Sequence, residues 1–449
     1  MRFFLPAAVF VLSAGLAWAG DSRPRDPDIQ RLVSEISSDR IERSIHILTS
    51  FKTRHSLSDP SPGGNGIGAA RVWIRAELER ISADSGGRLQ VELDAFEQPP
   101  APPRIPHKVE MVNIVATLPG VQPESRGRIY VACAHYDSRA RNILDADGPA
   151  PGADDNASGV AAMLELAHVM SHYEFDATIV FLATSGGEQA RNGSVHWAEQ
   201  AKKRGLNIAG VLNIDAIGSS RGPENSAPTM LLFSEGLPLR RELPDDVFAQ
   251  VRAGGENDFP SRQLARAIKE AAALYVPALN VKLVYRAGRY PGGGDQFSFL
   301  ERGWPAVRFS ELKEAFREDV RAEGGIADGD TPDLIDFPRV AEVTRASAAA
   351  LTVLARAPSV PHDVQIEAKL LDKGTTLRWS PNREPDLAGY RIVWRDTTSP
   401  LWEHSLDAPK DAVRFTVRDV TKDNFIFGLE AVDAAGHASP AAYALLKPE

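Results

Sequence analysis

The chain has 449 residues, too many for one ordinary core, and its 43% hydrophobic and 25% charged residues are globular averages. That composition excludes wholesale disorder and a collagen-like fibre. Lys and Arg number 51 against 60 Asp and Glu, and the resulting charge of −9 counts against nucleic acid and anionic lipid as partners, since both need basic clusters. The single cysteine, Cys133, makes no intrachain disulfide.

Residues 1–19 read as an export signal. Arg2 gives the positive start, Phe3 to Leu16 the apolar stretch, and Ala17-Trp18-Ala19 a small-x-small cleavage site. The apolar stretch is short for a membrane span. The expectation is therefore a periplasmic or extracellular protein with no membrane span. Residues 27 to 50 show a helical period through Ile29, Leu32, Val33, Ile36, Ile41, Ile45 and Leu48. A Ser, Pro and Gly-rich loop from Ser56 to Gly68 precedes a second helix over Ala69 to Ile81.

Strands and helices then alternate. Val112 to Leu118 and Ile129 to Ala134 are apolar runs rich in β-branched residues, and Ala157 to His172 is a helix. Thr178 to Ala183 is a strand, Gly193 to Arg204 a helix, and Ile208 to Ile214 a strand. Continuous apolar strands between amphipathic helices predict an α/β domain, a mostly parallel sheet covered by helices on both faces. After a helix over Pro338 to Ala355 the pattern changes. A linker at 357–361 leads into residues 362–449, whose runs Thr376–Trp379, Gly389–Trp394, Arg414–Val417 and Phe425–Val432 predict an all-β sandwich.

Polar residues gather where the strands of the first domain end. His135-Tyr-Asp137 follows one strand, and Gly152-Ala-Asp-Asp-Asn-Ala-Ser-Gly159 opens a helix. Glu188 follows another strand and Asp215 a third. Ligands of open parallel sheets bind outside the carboxyl ends of the strands. An imidazole with several carboxylates there suits Zn²⁺. Taken singly, each residue has a plain structural reading: a helix cap for Asp154 or Asp155, a turn for Asp215, a packed histidine for His135. Their order and context together favour the metal.

These stretches, with Val211-Leu-Asn-Ile-Asp-Ala-Ile-Gly218 and Trp304-Pro-Ala-Val-Arg-Phe309, resemble the zinc exopeptidases of the bacterial leucyl aminopeptidase and aminopeptidase Y group, metallopeptidase family twenty-eight. The resemblance runs from about Thr53 to Ala355. It implies that His135 and Asp215 hold one zinc, that Asp154 bridges to a second, and that Glu188 helps to bind that second ion. Asp137 would orient His135. Residues 20–356 would form the peptidase-like domain, and 362–449 resemble a fibronectin type III domain, whose partner the sequence leaves unknown.

Two departures stand out. The family's general base precedes the ligand glutamate. Aligned on Gly193-Ser194, Ser185-Gly-Gly-Glu-Gln189 puts Gly187 at the base and Glu188 at the ligand. A second alignment makes Glu188 the base and Gln189 the ligand position, and either way one of two carboxylates is missing. No histidine follows the strand Ala306 to Phe309 to complete the second metal position, and another family histidine is Gln296. The first position keeps three ligands, so one zinc is expected rather than two. Glu188, freed from metal duty, becomes a substitute base, and Gly187→Glu is expected to raise the rate by returning the ancestral one. Three readings follow: a zinc aminopeptidase acting on peptide or protein substrates, an inactive pseudo-peptidase that binds or scaffolds, and a glutaminyl-cyclase-like acyltransferase. The zinc of the third would use the depleted side of the site.

Overall fold

The computed structural model of the protein describes residues 25–218, 228–238, 244–290, 293–312, 330–368 and 373–446. Residues 1–19, expected from sequence to be an export signal, and most of the histidine-free stretch after Glu311 lie outside these residues. The helical period near the start makes two helices rather than one, α1 (Pro27–Ser34) and α2 (Ser38–Ser50). Ser37 breaks them: its hydroxyl caps α2 by accepting from the Arg40 N–H at 3.3 Å. Its own N–H donates to buried Glu165 at 2.6 Å. Helix α3 (Ile67–Asp84) follows the Gly-rich loop.

One sheet of eight strands organises the larger part of the chain: β1 (Gln90–Gln98), β2 (Val109–Leu118), β3 (Arg128–His135), β4 (Thr178–Thr184), β5 (Asn207–Ile214), β6 (Thr229–Ser234), β7 (Asn280–Val284) and β8 (Ala306–Glu311), in the order β1-β2-β4-β3-β5-β8-β6-β7. Its centre, β4-β3-β5-β8, is parallel. The antiparallel pairs are β1 with β2, β2 with β4, and β6 with β8. Strand β3 shows why the central strands read as continuous apolar runs. Tyr130, Ala132 and Ala134 enter one core and Val131 and Cys133 the other. Helices α1 to α3, α4 (Gly159–Met170), α7 (Pro260–Tyr275) and α9 (Phe337–Arg356) cover the first face. Helices α5 (Asn192–Lys203) and α8 (Gln296–Leu300) cover the second, while α6 (Asp245–Arg252) lies outside both layers.

The connections leaving β3 and β5 run in opposite directions across the sheet: β3 leads through α4 to β4, and β5 leads away towards β8 and β6. Such a reversal marks the place where ligands of open α/β sheets bind, here the carboxyl ends of β3, β4 and β5. Past α9, two four-stranded sheets share one core built on Leu377, Trp379, Tyr390, Ile392, Phe427 and Leu429. One sheet has β9 (His362–Ile366), β10 (Thr375–Ser380), β13 (Arg414–Val417) and β16 (Leu445–Leu446). The other has β11 (Leu387–Asp396), β12 (His404–Pro409), β14 (Phe425–Asp433) and β15 (Ala442–Tyr443). Among the described residues no helix is long and apolar enough to cross a membrane.

Candidate metal centre

His135 is the last residue of β3, and Asp215 follows the last residue of β5, so two adjacent parallel strands deliver them to one crevice. The third member comes from the loop before α4. His135 Nε2 lies 3.2 Å from Asp155 Oδ1 and 3.9 Å from Asp215 Oδ1. One ligand atom from each of these three side chains falls within 4.8 Å of the others. The histidine ring is turned by its other nitrogen: Nδ1 is 3.1 Å from the Asp137 carbonyl and 3.6 Å from the Asp137 carboxylate. The Nδ1–H donated there leaves the Nε2 lone pair for the cluster.

The sequence expectation named Asp154, and the structure puts Asp155 in its place. Backbone torsions decide between the neighbours. Asp155 (φ −110, ψ 88) and Asn156 (φ −139, ψ 47) are not helical, so the chain turns between the two acids. Asp155 faces His135. Asp154 faces away and accepts from the Gly218 N–H at 2.6 Å and the Ser158 hydroxyl at 3.3 Å. Burial pushes the Asp154 carboxyl up to about 6 despite its hydrogen bonds to Glu311 and Gly218.

Buried polar residues fix the loops that carry the acids. Asn156 donates to the Ile214 carbonyl at 2.9 Å and accepts from the Gly159 and Ala216 N–H groups at 3.0 and 3.2 Å. One amide thus joins the Asp155 loop to both neighbours of Asp215. Ala216 has φ 55, a left-handed backbone that alanine adopts at a cost. Arg308, on β8 and 4% exposed, donates to Asp215 Oδ1 at 2.9 Å.

Glu188 lies beside the cluster, in the turn after β4. Asp137 holds that turn, accepting from the Gly187 and Glu188 N–H groups at 2.8 and 3.0 Å. The Glu188 carboxylate pairs with Arg139 at 2.5 Å. Burial and the Asp155 charge push it up to about 7, against the pull of Arg139 and His135. Gly187 has no positive φ, yet a Cβ there would lie 2.5 Å from His135 Cγ. Contact with the imidazole, rather than torsional strain, therefore reserves this position for glycine. Gln296 is buried, donates to the Ala287 carbonyl at 2.9 Å and accepts from Asn213 at 2.9 Å. It serves as a structural amide.

The donor set fits a zinc ion, with one neutral imidazole nitrogen and two carboxylates converging. The surroundings also favour a cation at His135. Burial alone disfavours the imidazolium, but Asp137 and Asp155 outweigh it and raise its pKa well above the usual 6.5. Of the ligands expected from sequence, the structure brings His135 and Asp215 together and leaves Glu188 outside the three-residue cluster. Sequence reasoning missed Asp155, which the Asp-Asp pair had offered, and Arg308, which lay unused in the Trp304–Phe309 stretch.

Comparison with known proteins gives a consistent picture. The model for peptidase family M28 matches residues 113–323. A probable zinc metalloprotease of Pyrenophora teres f. teres is 39% identical over 427 residues, covering 94% of this chain and 87% of its own. Another from Leptosphaeria maculans is 40% identical over 423 residues, covering 93% of this chain and 97% of its own. Among solved structures, the LapA aminopeptidase of Legionella pneumophila superposes with a TM-score of 0.51 at 19% identity, covering 79% of this chain and 80% of that one. The aminopeptidase of Aneurinibacillus sp. strain AM-1 gives a TM-score of 0.51 at 14% identity, covering 73% of this chain and 96% of that one. At these identities the structural likeness concerns the fold.

Proposed function

The chain belongs to peptidase family M28, a family of zinc metallopeptidases, and we propose that it works as an exported aminopeptidase with one zinc, removing N-terminal residues from peptides. The observation that carries this reading is the convergence of His135, Asp155 and Asp215 at the carboxyl ends of adjacent parallel strands. In this reading those three hold the metal. A zinc ion held there would supply Lewis-acid polarisation of a scissile carbonyl. Asp137 orients His135, and Arg308 shares Asp215 with the metal.

Glu188 takes the proton of the attacking water and later passes it to the leaving amine. Arg139 supports the ionised form that a base requires. The aminopeptidases among the structural neighbours support the exopeptidase class, and the sequence pattern over residues 1–19 supports export. The last two sheets are read as a fibronectin type III-like module over 362–449.

A second reading draws on Gly187 and Arg139. With glycine at the ancestral base position and Glu188 tied to an arginine, the site suits a pseudo-peptidase that binds peptides without cleaving them. Hydrolysis of aminoacyl-nitroanilides and of their N-acetylated counterparts separates the two. Zinc-dependent release from the free-amine substrates alone is expected. A zinc-loaded protein that cleaves neither set supports the binding reading, and equal cleavage of both removes the aminopeptidase assignment.

A further inference from the structure

The loop that carries Asp155 has no regular structure of its own to keep it in place. The segment begins after left-handed Gly152, so its first N–H groups have no preceding turn to bond to, and buried backbone N–H groups must find acceptors elsewhere. They find them 175 residues further along the chain. The Asp330 carboxylate accepts from the Asp154 N–H through Oδ1 at 2.6 Å and from the Asp155 N–H through Oδ2 at 2.9 Å. The Asp330 carbonyl accepts from the Ala153 N–H at 3.1 Å. Three consecutive N–H groups thus end on one residue.

The other side of the loop is held through its carbonyls. Arg54, 1% exposed, donates to the Pro151 carbonyl and to the Gly152 carbonyl, the latter at 2.8 Å. It also donates to the Tyr136 carbonyl at 2.8 Å and the Leu48 carbonyl at 3.1 Å, which anchors it to the end of β3 and to α2. Gly152 is left-handed (φ 54), and a Cβ there would meet Ser138 at 2.6 Å. The loop is therefore gripped by a buried cation through its carbonyls and by a carboxylate through its N–H groups.

We propose that Asp330 is a positioning residue for the metal site: by fixing the backbone of residues 153–155 it sets where the Asp155 carboxylate stands relative to His135 and Asp215. The inference rests on the reading of Asp155 as a metal ligand. Outer groups that orient ligands are worth about 10–100-fold in metal affinity. A loop displaced by even about 0.5 Å loses productive geometry.

The test is zinc affinity of the full chain, measured by competition with a chromophoric chelator, alongside the melting midpoint of each metal-free variant. Asp155→Asn comes first, and it should abolish binding. If it leaves the affinity unchanged, the ligand assignment fails and the inference fails with it. With that control in hand, Asp330→Ala should weaken zinc binding about 10–100-fold. Asp330→Asn, which keeps shape and one acceptor, should fall between Ala and the parent chain. The metal-free midpoint of Asp330→Ala should fall, because two buried N–H groups lose their acceptors, but the zinc affinity of the folded variant should fall with it, which a merely structural role would not produce. Affinity within threefold of the parent in Asp330→Ala overturns the proposal while the ligand assignment stands. Equal losses in Asn and Ala overturn it too, because they make the effect one of charge rather than position. If the Ala variant does not fold, Asp330→Asn decides alone: a measurable loss supports the clamp, and parental affinity overturns it.

Discussion

A buried carboxylate does what its neighbours allow. Asp154 and Asp155 are adjacent and chemically identical, yet one accepts from the Gly218 N–H and the Ser158 hydroxyl and the other faces an imidazole. Glu188→Gln tests the proton-transfer role. It should keep zinc bound and reduce aminopeptidase turnover by about 10²–10⁴-fold, read as kcat in a nitroanilide assay. Unchanged turnover would assign the base elsewhere. Gly187→Glu reverses the expectation drawn from sequence. Its Cβ would press on His135 Cγ at 2.5 Å, so the variant should lose zinc and activity together. A faster, zinc-replete Gly187→Glu enzyme would show that the ring yields.

At the scale of elements, the site depends on loops held together by side chains far apart in sequence. Asn156 makes three hydrogen bonds that join the Asp155 loop to the turn after β5. Replacing it with Ala leaves buried backbone groups unpaired, at about 1–3 kcal/mol for each lost partner. We expect a clear fall in the urea midpoint; a shift below about 0.5 kcal/mol, the usual range for surface changes, would mean that water or backbone replaces it. The strands that deliver His135 and Asp215 were legible because each is a short β-branched run ending at a polar residue. The choice between Asp154 and Asp155 was not, because it turns on torsions that leave no periodic mark. The Arg308–Asp215 pair and the Asp330 carboxylate join residues 93 and more than 170 positions apart, and only the folded topology brings them together. Helices α1 and α2 read as one because the apolar period continues through the Ser37 break.

Over the whole molecule, the C-terminal sheets are locked to the larger sheet by buried ions. Asp258 accepts from Arg266 at 3.0 Å and from Arg395 of β11 at 2.7 Å, and the three side chains are at most 3% exposed. Trp402 stacks under both guanidiniums, and Tyr285 and Arg266 both donate to the Pro400 carbonyl at 2.8 Å. Breaking a buried pair costs about 3–5 kcal/mol. Because Arg266 still faces Asp258, Arg395→Leu should fall near the lower end, measured by denaturant unfolding. A chain truncated after Ala357 should keep zinc but melt lower than the full protein, and an unchanged melting point would show that the units are independent.

A second clasp is sensitive to pH. His437 lies 2.6 Å from Asp433 and 3.0 Å from Asp26, and Asp26 also pairs with Arg356 at 3.0 Å. Burial disfavours the imidazolium, but Asp433 and Asp26 together raise its pKa above 6.5. A raised histidine stabilises fully below its unfolded pKa and loses that contribution as pH rises through the folded value. Compared with His437→Gln, the parent chain should therefore lose relative stability on going from pH 6 upward. Parallel stability curves for the two proteins would contradict the clasp.

The central claim is that His135, Asp155 and Asp215 together hold a single zinc. Its most direct test is the zinc content, by elemental analysis after dialysis against a weak chelator, of the parent protein and of the two isosteric variants Asp154→Asn and Asp155→Asn. One equivalent is expected in the parent and in Asp154→Asn, and none in Asp155→Asn. Two equivalents in the parent, or zinc lost from Asp154→Asn and retained by Asp155→Asn, would contradict the account.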